Sequence, residues 1–418
     1  MSSSLNPREL AVQVIAQVLK GQELQAALDK CLNRFQLKPK DKGLLTELCY
    51  GYFRYKGQLD FIWQSFLRKN KELPPDVGVI LGLACYELFY LSKVPAYATL
   101  SWSVDLVKKK YGQRLGGLVN AILRNCQKLD LTDDLFQKDR PKLDLFWSRK
   151  YAAPLWLVRY LLEKYSPQSV QHFLQASLIQ PLTGILLLEP VTWPKQVETA
   201  IQLRLKDVGV VVKKGREKEV FAFLEQSKIP YYVQSIDSQK ILLELWEREL
   251  DWIWDGCAGS GGKTFLLHRL KVKTFASDLN KKRLLFLAKK SKEFNLSISL
   301  FRANLLFPPL KKAQNVLLDA PCSGLGVLAR CPDSKWKKSL KDVQNLSQIQ
   351  AKMLETCCTI LPAGGKLLYV TCTITWEENQ NQIEAFLKKH PQFKLEKVIE
   401  PDFKQKQEFF FGARLQKK

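Results

Sequence analysis

Apolar residues recur at helical spacing through the first 130 residues of the chain. They lie three and four positions apart, as one buried face of a helix requires, and polar breaks such as LKPKD separate the segments. This pattern predicts an all-α domain over residues 1–130 that starts with a capped amphipathic helix, not a signal peptide. A polar linker is expected at 130–142. The clearest segments are AVQVIAQVL (11–19), LLTELCYGYFRY (44–55), VGVILGLACYELFYL (77–91) and LGGLVNAILRNC (115–126).

The pattern becomes mixed between residues 143 and 240. WLVRYLLEKY (156–165) and VQHFLQASL (170–178) have helical spacing. Three short β-branched and apolar runs are typical of strands, and they predict a small α/β module over 143–240. These runs are GILLLEP (184–190), VGVVV (208–212) and IPYYVQS (229–235).

Strands and helices alternate over residues 241–418. Such alternation predicts a mostly parallel, doubly wound sheet, and ligands of these sheets bind outside the carboxyl ends of the strands. The predicted strands are DWIWD (251–255), TFASD (274–278), SISLFRA (297–303), NVLLDAP (315–321) and KLLYVT (366–371).

The composition narrows the function classes. Sixty-five Lys and Arg face 41 Asp and Glu, a formal net charge of +24, and this excess favours a nucleic-acid partner. No run of 18 or more apolar residues is present, so no membrane span is expected. The ten cysteines show no C-x-x-C spacing and only three histidines occur, which argues against a zinc site. Reduced thiols and a cytoplasmic location are expected.

The turn DGCAGSGGKT (255–264) follows the first strand of the last domain. A phosphate-binding P-loop would need glycine where Cys257 stands. A dinucleotide site would match Gly259 and Gly261 but not Thr264. An S-adenosylmethionine site needs an acidic residue at the end of the second strand to accept from the ribose hydroxyls, and Asp278 stands there. The turn alone leaves all three open.

Two cysteines stand at the ends of later strands, Cys322 in Asp-Ala-Pro-Cys-Ser and Cys372 in Val-Thr-Cys-Thr. Carbon 5 of a pyrimidine is a poor nucleophile until a thiolate adds to carbon 6. The addition makes carbon 5 enamine-like, able to take a methyl group from a sulfonium donor, and loss of the carbon 5 proton and the thiolate then restores the ring. Nearby cations would make the thiolate available near neutral pH, and the positive charge of this chain favours that.

The strings DGCAGSGGKT, DAPCSGLG, KW and YVTCTITWEEN closely resemble the motifs of the RNA (cytosine-5)-methyltransferases of the Sun, or RsmB, family. GLVNAILRN (117–125) resembles part of the NusB-like domain that precedes the catalytic domain in members acting on small-subunit (16S) rRNA. The resemblance covers nearly the whole chain. It implies a multidomain protein with an all-α NusB-like N-terminal domain, a small α/β middle module and a C-terminal Rossmann-like class I methyltransferase domain.

The resemblance also implies roles for individual residues. Cys372 would be the nucleophile and Cys322 would assist release of the product. Asp319 would contact the N3 and N4 edge of the cytosine near the methyl donor, and Lys263 would position Asp319 or the target base. The implied S-adenosylmethionine ligands are Cys257, Ala258, Gly259, Ser260, Gly261, Gly262, Lys263, Asp278, Asn304 and Asp319.

Several positions depart from the family pattern. Gly259-Ser260 replaces the usual Ala-Pro, Thr373 replaces serine, and Asn304, whose amide can still bond to adenine, stands where an aspartate is usual. The middle module lacks the Arg and Asn usual around GILLLEP, and Gln407-Glu408 replaces Asp-Gly before the closing strand.

These observations predict a monomeric, metal-free enzyme that acts on 16S rRNA or a precursor of the small ribosomal subunit. The target cytosine is expected to leave its stack to reach Cys372. Two alternatives stay open: a P-loop-like ATPase acting on RNA, and a non-catalytic RNA-binding assembly factor. The run Lys335–Lys338 fits phosphate contact and stacking of a base on Trp336, but packing of Trp336 into the core fits equally well.

Overall fold

The computed structural model describes residues 6–68, 72–246, 252–404 and 408–418. The predictions for Met1–Leu5, Asp251 and Gln407 lie outside these residues. The chain divides into two compact units. The helical unit comprises Met1–Ile179 and Leu328–Lys338, and the sheet unit comprises Gln180–Val327 and Ser339–Lys418. Among the described residues, no helix has the length and apolar character to cross a membrane.

The helical unit confirms the predicted all-α start of the chain. The side chain of Asn6 caps the first helix by accepting from the Arg8 amide at 3.0 Å, and proline occupies the first turn of four helices, where its missing N–H costs nothing. The helices are α1 Pro7–Leu19, α2 Leu24–Arg34, α3 Pro39–Gln64, α4 Pro75–Tyr90, α5 Ala96–Tyr111, α6 Gln113–Cys126, α7 Leu143–Lys150, α8 Leu155–Lys164 and α9 Pro167–Leu178, with a 3-10 helix at Asp133–Asp139.

The segment Leu328–Lys338 is embedded in the helical unit although it follows the Cys322 motif in the chain. The Lys335 Nζ donates to the Arg54 carbonyl at 2.9 Å, and the Trp336 indole donates to the Phe53 carbonyl at 2.7 Å. In return, the Arg54 guanidinium donates to the Ala329 carbonyl at 2.9 Å. Lys335 is 1% exposed. Of the two alternatives, this burial contradicts a phosphate contact by Lys335, and the packing of the half-buried Trp336 against the helical core favours the second.

Replacing Lys335 by methionine is expected to raise the free energy of unfolding of the helical unit, and the increase should be largest at and below pH 7. Burial, assisted by the Arg54 charge, lowers the pKa of Lys335 from 10.5 to about 7. Between these values the unfolded chain binds more protons, so wild-type stability rises with pH. The stability of Lys335→Met lacks this rise with pH. The difference in unfolding free energy between Lys335→Met and the wild type should therefore shrink by up to about 1.4 kcal/mol per pH unit between pH 7 and 10.5.

Urea unfolding at two pH values in this window, followed by circular dichroism, measures the effect. Lys109→Met, at an exposed position on α5, is the charge-matched control. An advantage of Lys335→Met that is the same at both pH values would contradict the burial of an uncharged amine.

The sheet unit begins with a four-stranded antiparallel sheet in the order β2-β3-β1-β4. This order, with two crossover helices, is the ferredoxin-like βαββαβ arrangement. One face packs on α11 through Val220 and Leu224. The other face packs on α12 through Ile241 and Leu242. The elements are β1 Thr183–Leu187, α10 Lys195–Glu198, β2 Ile201–Leu205, β3 Gly209–Val212, α11 Glu217–Gln226, β4 Tyr231–Val233 and α12 Ile236–Leu245.

The region predicted as a module over 143–240 is divided between the two units. Helices α7, α8 and α9 group with the helical unit, and the module in the sheet unit begins at Gln180. Helical periodicity identifies these helices but carries no information about which core they join.

The seven-stranded sheet confirms the predicted doubly wound architecture. Its order is β10-β11-β9-β8-β5-β6-β7, with parallel pairing from β9 to β7 and antiparallel pairing of β11 with both neighbours. The chain runs outward from β5 to β7 and then returns to β8 on the other side of β5. The carboxyl ends of β5 and β8 thus flank the switch point at which such sheets bind ligands.

The remaining elements are β5 Trp252–Asp255, α13 Gly262–Arg269, β6 Lys273–Asp278, α14 Lys281–Glu293, β7 Ser299–Arg302, β8 Asn315–Asp319, α15 Ser334–Lys337 (in the helical unit), α16 Leu340–Ile360, β9 Lys366–Thr371, α17 Gln380–Lys389, β10 Phe393–Ile399 and β11 Phe411–Lys417, with a 3-10 helix at Trp376–Glu378.

Candidate active site

The glycine-rich turn joins β5 to α13 at the switch point. Gly259 and Gly261 have φ values of +56° and +96°, in the left-handed region that favours glycine. A side chain at Gly259 would meet nothing within 4 Å, so the turn borders open space. The Ala258 amide donates to the Ser277 carbonyl at 2.9 Å, which holds the turn against the end of β6.

Asp278 ends β6 and binds this turn directly. Its Oδ2 accepts from the Gly259 amide at 2.8 Å, and its Oδ1 accepts from the Asn280 amide at 2.6 Å. A carboxylate has about four acceptor positions, so two positions remain for hydroxyl donors of a ligand. Asp278 therefore orders the loop, a role that its spacing in the sequence did not reveal.

Asp255 ends β5 and is completely buried. Its Oδ2 accepts from the Thr264 hydroxyl at 2.7 Å, whereas its Oδ1 has no hydrogen-bond partner among the described residues. Burial raises the pKa of Asp255 to about 7. An orphaned buried acceptor beside an open glycine turn is the kind of group that a bound ligand satisfies.

Two other predicted cofactor residues lie at the same edge of the sheet. Cys257 is half-buried in the turn, and burial raises the pKa of its thiol well above the ordinary value, which marks it as a packing residue. Asn304 follows β7 and is half-buried. Its side-chain oxygen accepts from the Leu306 amide at 3.1 Å, which fixes the local turn.

Lys263 and Asp319 form an ion pair between the start of α13 and the end of β8. The Lys263 Nζ lies 2.7 Å from the Asp319 Oδ2. Burial opposes the charged form of Lys263, but the neighbouring Asp319 carboxylate more than offsets this and raises the pKa of Lys263 above its ordinary value. The pair links the glycine turn to the loop that carries Cys322.

Cys322 and Cys372 meet at the carboxyl ends of β8 and β9. Their sulfur atoms lie 3.3 Å apart, and the Cys372 amide donates to the Cys322 sulfur at 3.4 Å. Both residues are half-buried. Of the sequence-predicted catalytic residues, the structure thus joins Cys322 to Cys372 and Lys263 to Asp319.

The expectation that the positive charge of the chain lowers the pKa of Cys372 is wrong. The contact with Cys322 and burial raise the pKa of Cys372 well above its ordinary value, and the Asp319 carboxylate adds to this effect. Lys263 acts in the opposite direction but does not outweigh them. These contacts favour the thiol form of Cys372 over the thiolate.

A buried carboxylate that no sequence motif singled out binds both loops that carry the two cysteines. Glu378 is fully buried and accepts from four groups on three segments of the chain, namely the Ser323 amide, the Ser323 hydroxyl, the Thr375 hydroxyl and the Gln350 side chain. The WEEN string contains Glu378, but the positions of its partners along the chain give no signal that they converge.

Comparison with known proteins supports a methyltransferase. The family model described as 16S rRNA methyltransferase RsmB/F matches residues 241–414, and the model of the NusB family matches residues 5–128. The chain is 30% identical to ribosomal RNA small subunit methyltransferase B of Thermus thermophilus, over 94% of this chain and 90% of that protein. It is 29% identical to the protein of the same name from Vibrio cholerae, over 94% and 91% respectively.

Solved structures agree with the fold. The crystal structure of PH0851 superposes with a TM-score of 0.76 at 21% identity and covers 100% of both chains. A methyltransferase homologue protein from Pyrococcus horikoshii superposes with a TM-score of 0.54 at 18% identity, over 66% of this chain and 99% of that one. The prediction of a NusB-like helical region followed by a Rossmann-like methyltransferase fold is confirmed.

Proposed function

Because the chain belongs to the ribosomal RNA small subunit methyltransferase B family, we propose that it methylates carbon 5 of a cytosine in small-subunit (16S) rRNA through a covalent bond to Cys372. The main support for this proposal is that the Cys322 and Cys372 sulfur atoms lie 3.3 Å apart at the carboxyl ends of β8 and β9. The Lys263–Asp319 ion pair joins this edge to the glycine turn.

The chemistry follows from the two cysteines. The Cys372 sulfur adds to carbon 6 of the cytosine and loses its proton, so a sulfur–carbon bond forms and carbon 5 becomes nucleophilic. After carbon 5 has taken the methyl group, loss of its proton and cleavage of the bond to Cys372 restore the aromatic ring. Cys322, adjacent to the Cys372 sulfur, assists this release.

Asp319 and Lys263 act on the base. Asp319 is one-third exposed, while its partner Lys263 is buried, so the carboxylate is accessible to a ligand and the ammonium holds it in place. A carboxylate is an acceptor suited to the exocyclic amino group of cytosine. The pairing also argues against the ATPase alternative, since the lysine of a P-loop serves the nucleotide phosphates.

S-adenosylmethionine is the cofactor of this family, and it supplies a methyl group on a positively charged sulfur. The residues present fit it: the open turn at Gly259, the orphaned Asp255 oxygen and the Asp278 carboxylate with remaining acceptor positions. The turn Cys257–Lys263 would hold the cofactor by backbone contacts, with Asp278 at the ribose and Asn304 at the adenine.

Replacing Asp278 by alanine is expected to weaken S-adenosylmethionine binding by about 10- to 100-fold, the usual effect of losing hydrogen bonds to a charged group. The variant loses both the ribose acceptor and the bond that orders Gly259. Calorimetric titration with S-adenosylmethionine measures the loss, and Asp105→Ala, at an exposed position in the helical unit, is the control. Unchanged affinity in Asp278→Ala, or tighter binding of ATP than of S-adenosylmethionine to the wild type, would contradict the proposed site.

Tritium release tests the reaction itself. Small-subunit rRNA transcribed with cytidine tritiated at carbon 5 is incubated with the protein and S-adenosylmethionine. The proposal predicts one tritium released into water for each methyl group incorporated. Methyl incorporation without tritium release would place the methyl group on another atom, and the absence of both would favour a non-catalytic RNA-binding protein.

A further inference from the structure

The strongest unassigned group in the sheet unit is the carboxylate of Glu378, which lies in the 3-10 helix that follows Cys372 in the chain. It is fully buried. Such a carboxylate is costly to bury unless hydrogen bonds compensate it. The Glu378 network, meaning Glu378 with Ser323, Gln350 and Thr375, supplies them.

The four hydrogen bonds are divided evenly between the two oxygens. Oε1 accepts from the Ser323 amide at 2.8 Å and from the Gln350 amide group at 3.0 Å. Oε2 accepts from the Ser323 hydroxyl at 2.5 Å and from the Thr375 hydroxyl at 2.6 Å. The four acceptor positions of a carboxylate are thus filled, and an apolar side chain at this position would leave all four donors without their shared acceptor.

These bonds fix the loop that carries Cys322 from both sides. Ser323, the residue after Cys322, binds Glu378 through backbone and side chain. Pro321, the residue before Cys322, is held by Gln350, which donates to its carbonyl at 2.9 Å. Cys322 therefore lies between two anchored neighbours, while its own sulfur points to Cys372.

The same network holds the loop that carries Cys372. Thr375 binds Glu378, and the Thr373 hydroxyl lies 2.7 Å from the Ser323 hydroxyl. The Tyr369 hydroxyl, on β9, donates to the Glu378 carbonyl at 2.7 Å. Both cysteine loops thus meet at one carboxylate.

We propose that Glu378 is a positioning residue for the release step, holding Cys322 against the Cys372 adduct so that the product can leave. The proposal rests on the methylation chemistry proposed above. Glu378 acts on Cys322 through Ser323 and Gln350. The neighbours of Cys372 are also anchored independently of the Glu378 side chain, because the Thr371 hydroxyl donates to the Asn379 side chain and the Asn379 amide group donates to the Thr373 carbonyl. Removal of the carboxylate should therefore displace Cys322 more than Cys372.

Replacing Glu378 by alanine should lower kcat, by about 10²-fold if Cys322 moves by about 1 Å, with little change in KM for RNA. Protein–RNA adduct that resists denaturing gel electrophoresis should accumulate in the presence of S-adenosylmethionine. Glu378→Gln should restore most of the turnover, because its oxygen can accept from the two N–H donors while its amide group donates to the two hydroxyl oxygens. Glu384→Ala, at an exposed position on α17, is the charge-matched control and should behave as wild type.

Loss of the fold alone would lower cofactor binding and turnover together and would produce no adduct. Ser323→Ala provides a milder second variant if Glu378→Ala does not fold, and it should show the same adduct in smaller amount. Wild-type turnover in Ser323→Ala or Glu378→Ala, or lost turnover without adduct in a variant that binds S-adenosylmethionine normally, would overturn the positioning role. If the wild type itself neither incorporates methyl nor releases tritium, the proposed function fails first and the positioning role falls with it.

Discussion

Replacing Cys372 by alanine is expected to abolish methyl transfer to RNA while cofactor affinity stays unchanged. In the proposed mechanism the Cys372 sulfur bonds to carbon 6, and the Cys322 sulfur lies 3.3 Å from it. Removing the nucleophile of a covalent mechanism typically costs at least about 10³-fold in rate. Incorporation of tritiated methyl groups into small-subunit rRNA measures the loss.

Cys31→Ala, at a half-buried position on α2, is the matched control and should methylate as wild type. Calorimetric titration with S-adenosylmethionine shows whether the cofactor site of Cys372→Ala is intact. Substantial methylation by Cys372→Ala would mean that Cys372 is not the nucleophile, and Cys322 would then be the candidate to examine.

Replacing Cys322 by alanine is expected to trap the enzyme on its substrate. Without the sulfur that lies 3.3 Å from Cys372, addition and methyl transfer still occur, but release of Cys372 is slowed. A protein–RNA species that survives denaturing electrophoresis should form when S-adenosylmethionine is present, and multiple turnover should fall by about 10²-fold or more.

The double variant, with both Cys322 and Cys372 replaced by alanine, provides the control because it has no nucleophile and should form no adduct. Wild-type turnover by Cys322→Ala would show that Cys322 is not needed to release the product. Adduct formation by the double variant would show that the covalent bond involves another group.

The sheet unit shows which strands a sequence reveals. All five strands predicted from short apolar runs after residue 241 are present within a few residues of the expected bounds. The strands β2 and β10 were missed, and both are edge strands whose side chains are mostly exposed. An edge strand that faces solvent has no need for the apolar pattern on which the prediction relies.

Lys335 and Cys372 illustrate the same limit for chemistry. The sequence shows that Lys335 is charged, but only the folded chain shows that it is enclosed against the Arg54 carbonyl. The cationic composition favoured a lowered pKa for Cys372, whereas burial and the contact with Cys322 raise it. Net charge acts over long distances, and local contacts decide the pKa of an individual group.

The site residues could be named from motifs, because glycine turns and strand-end cysteines are local in the chain. Their mutual arrangement could not. The Lys263–Asp319 pair joins residues on α13 and β8, and the Glu378 network joins α16 to two loops. Such contacts depend on how strands are ordered in the sheet, which periodicity does not determine.

Bisulfite sequencing of small-subunit rRNA, treated with S-adenosylmethionine and either the wild type or Cys372→Ala, tests whether the protein methylates carbon 5 of a cytosine through Cys372. Methylation at carbon 5 protects a cytosine from conversion, so we expect one newly protected cytosine with the wild type and none with the variant. Protection of the same cytosine by both proteins, or methylation of the RNA without any protected cytosine, would contradict this expectation.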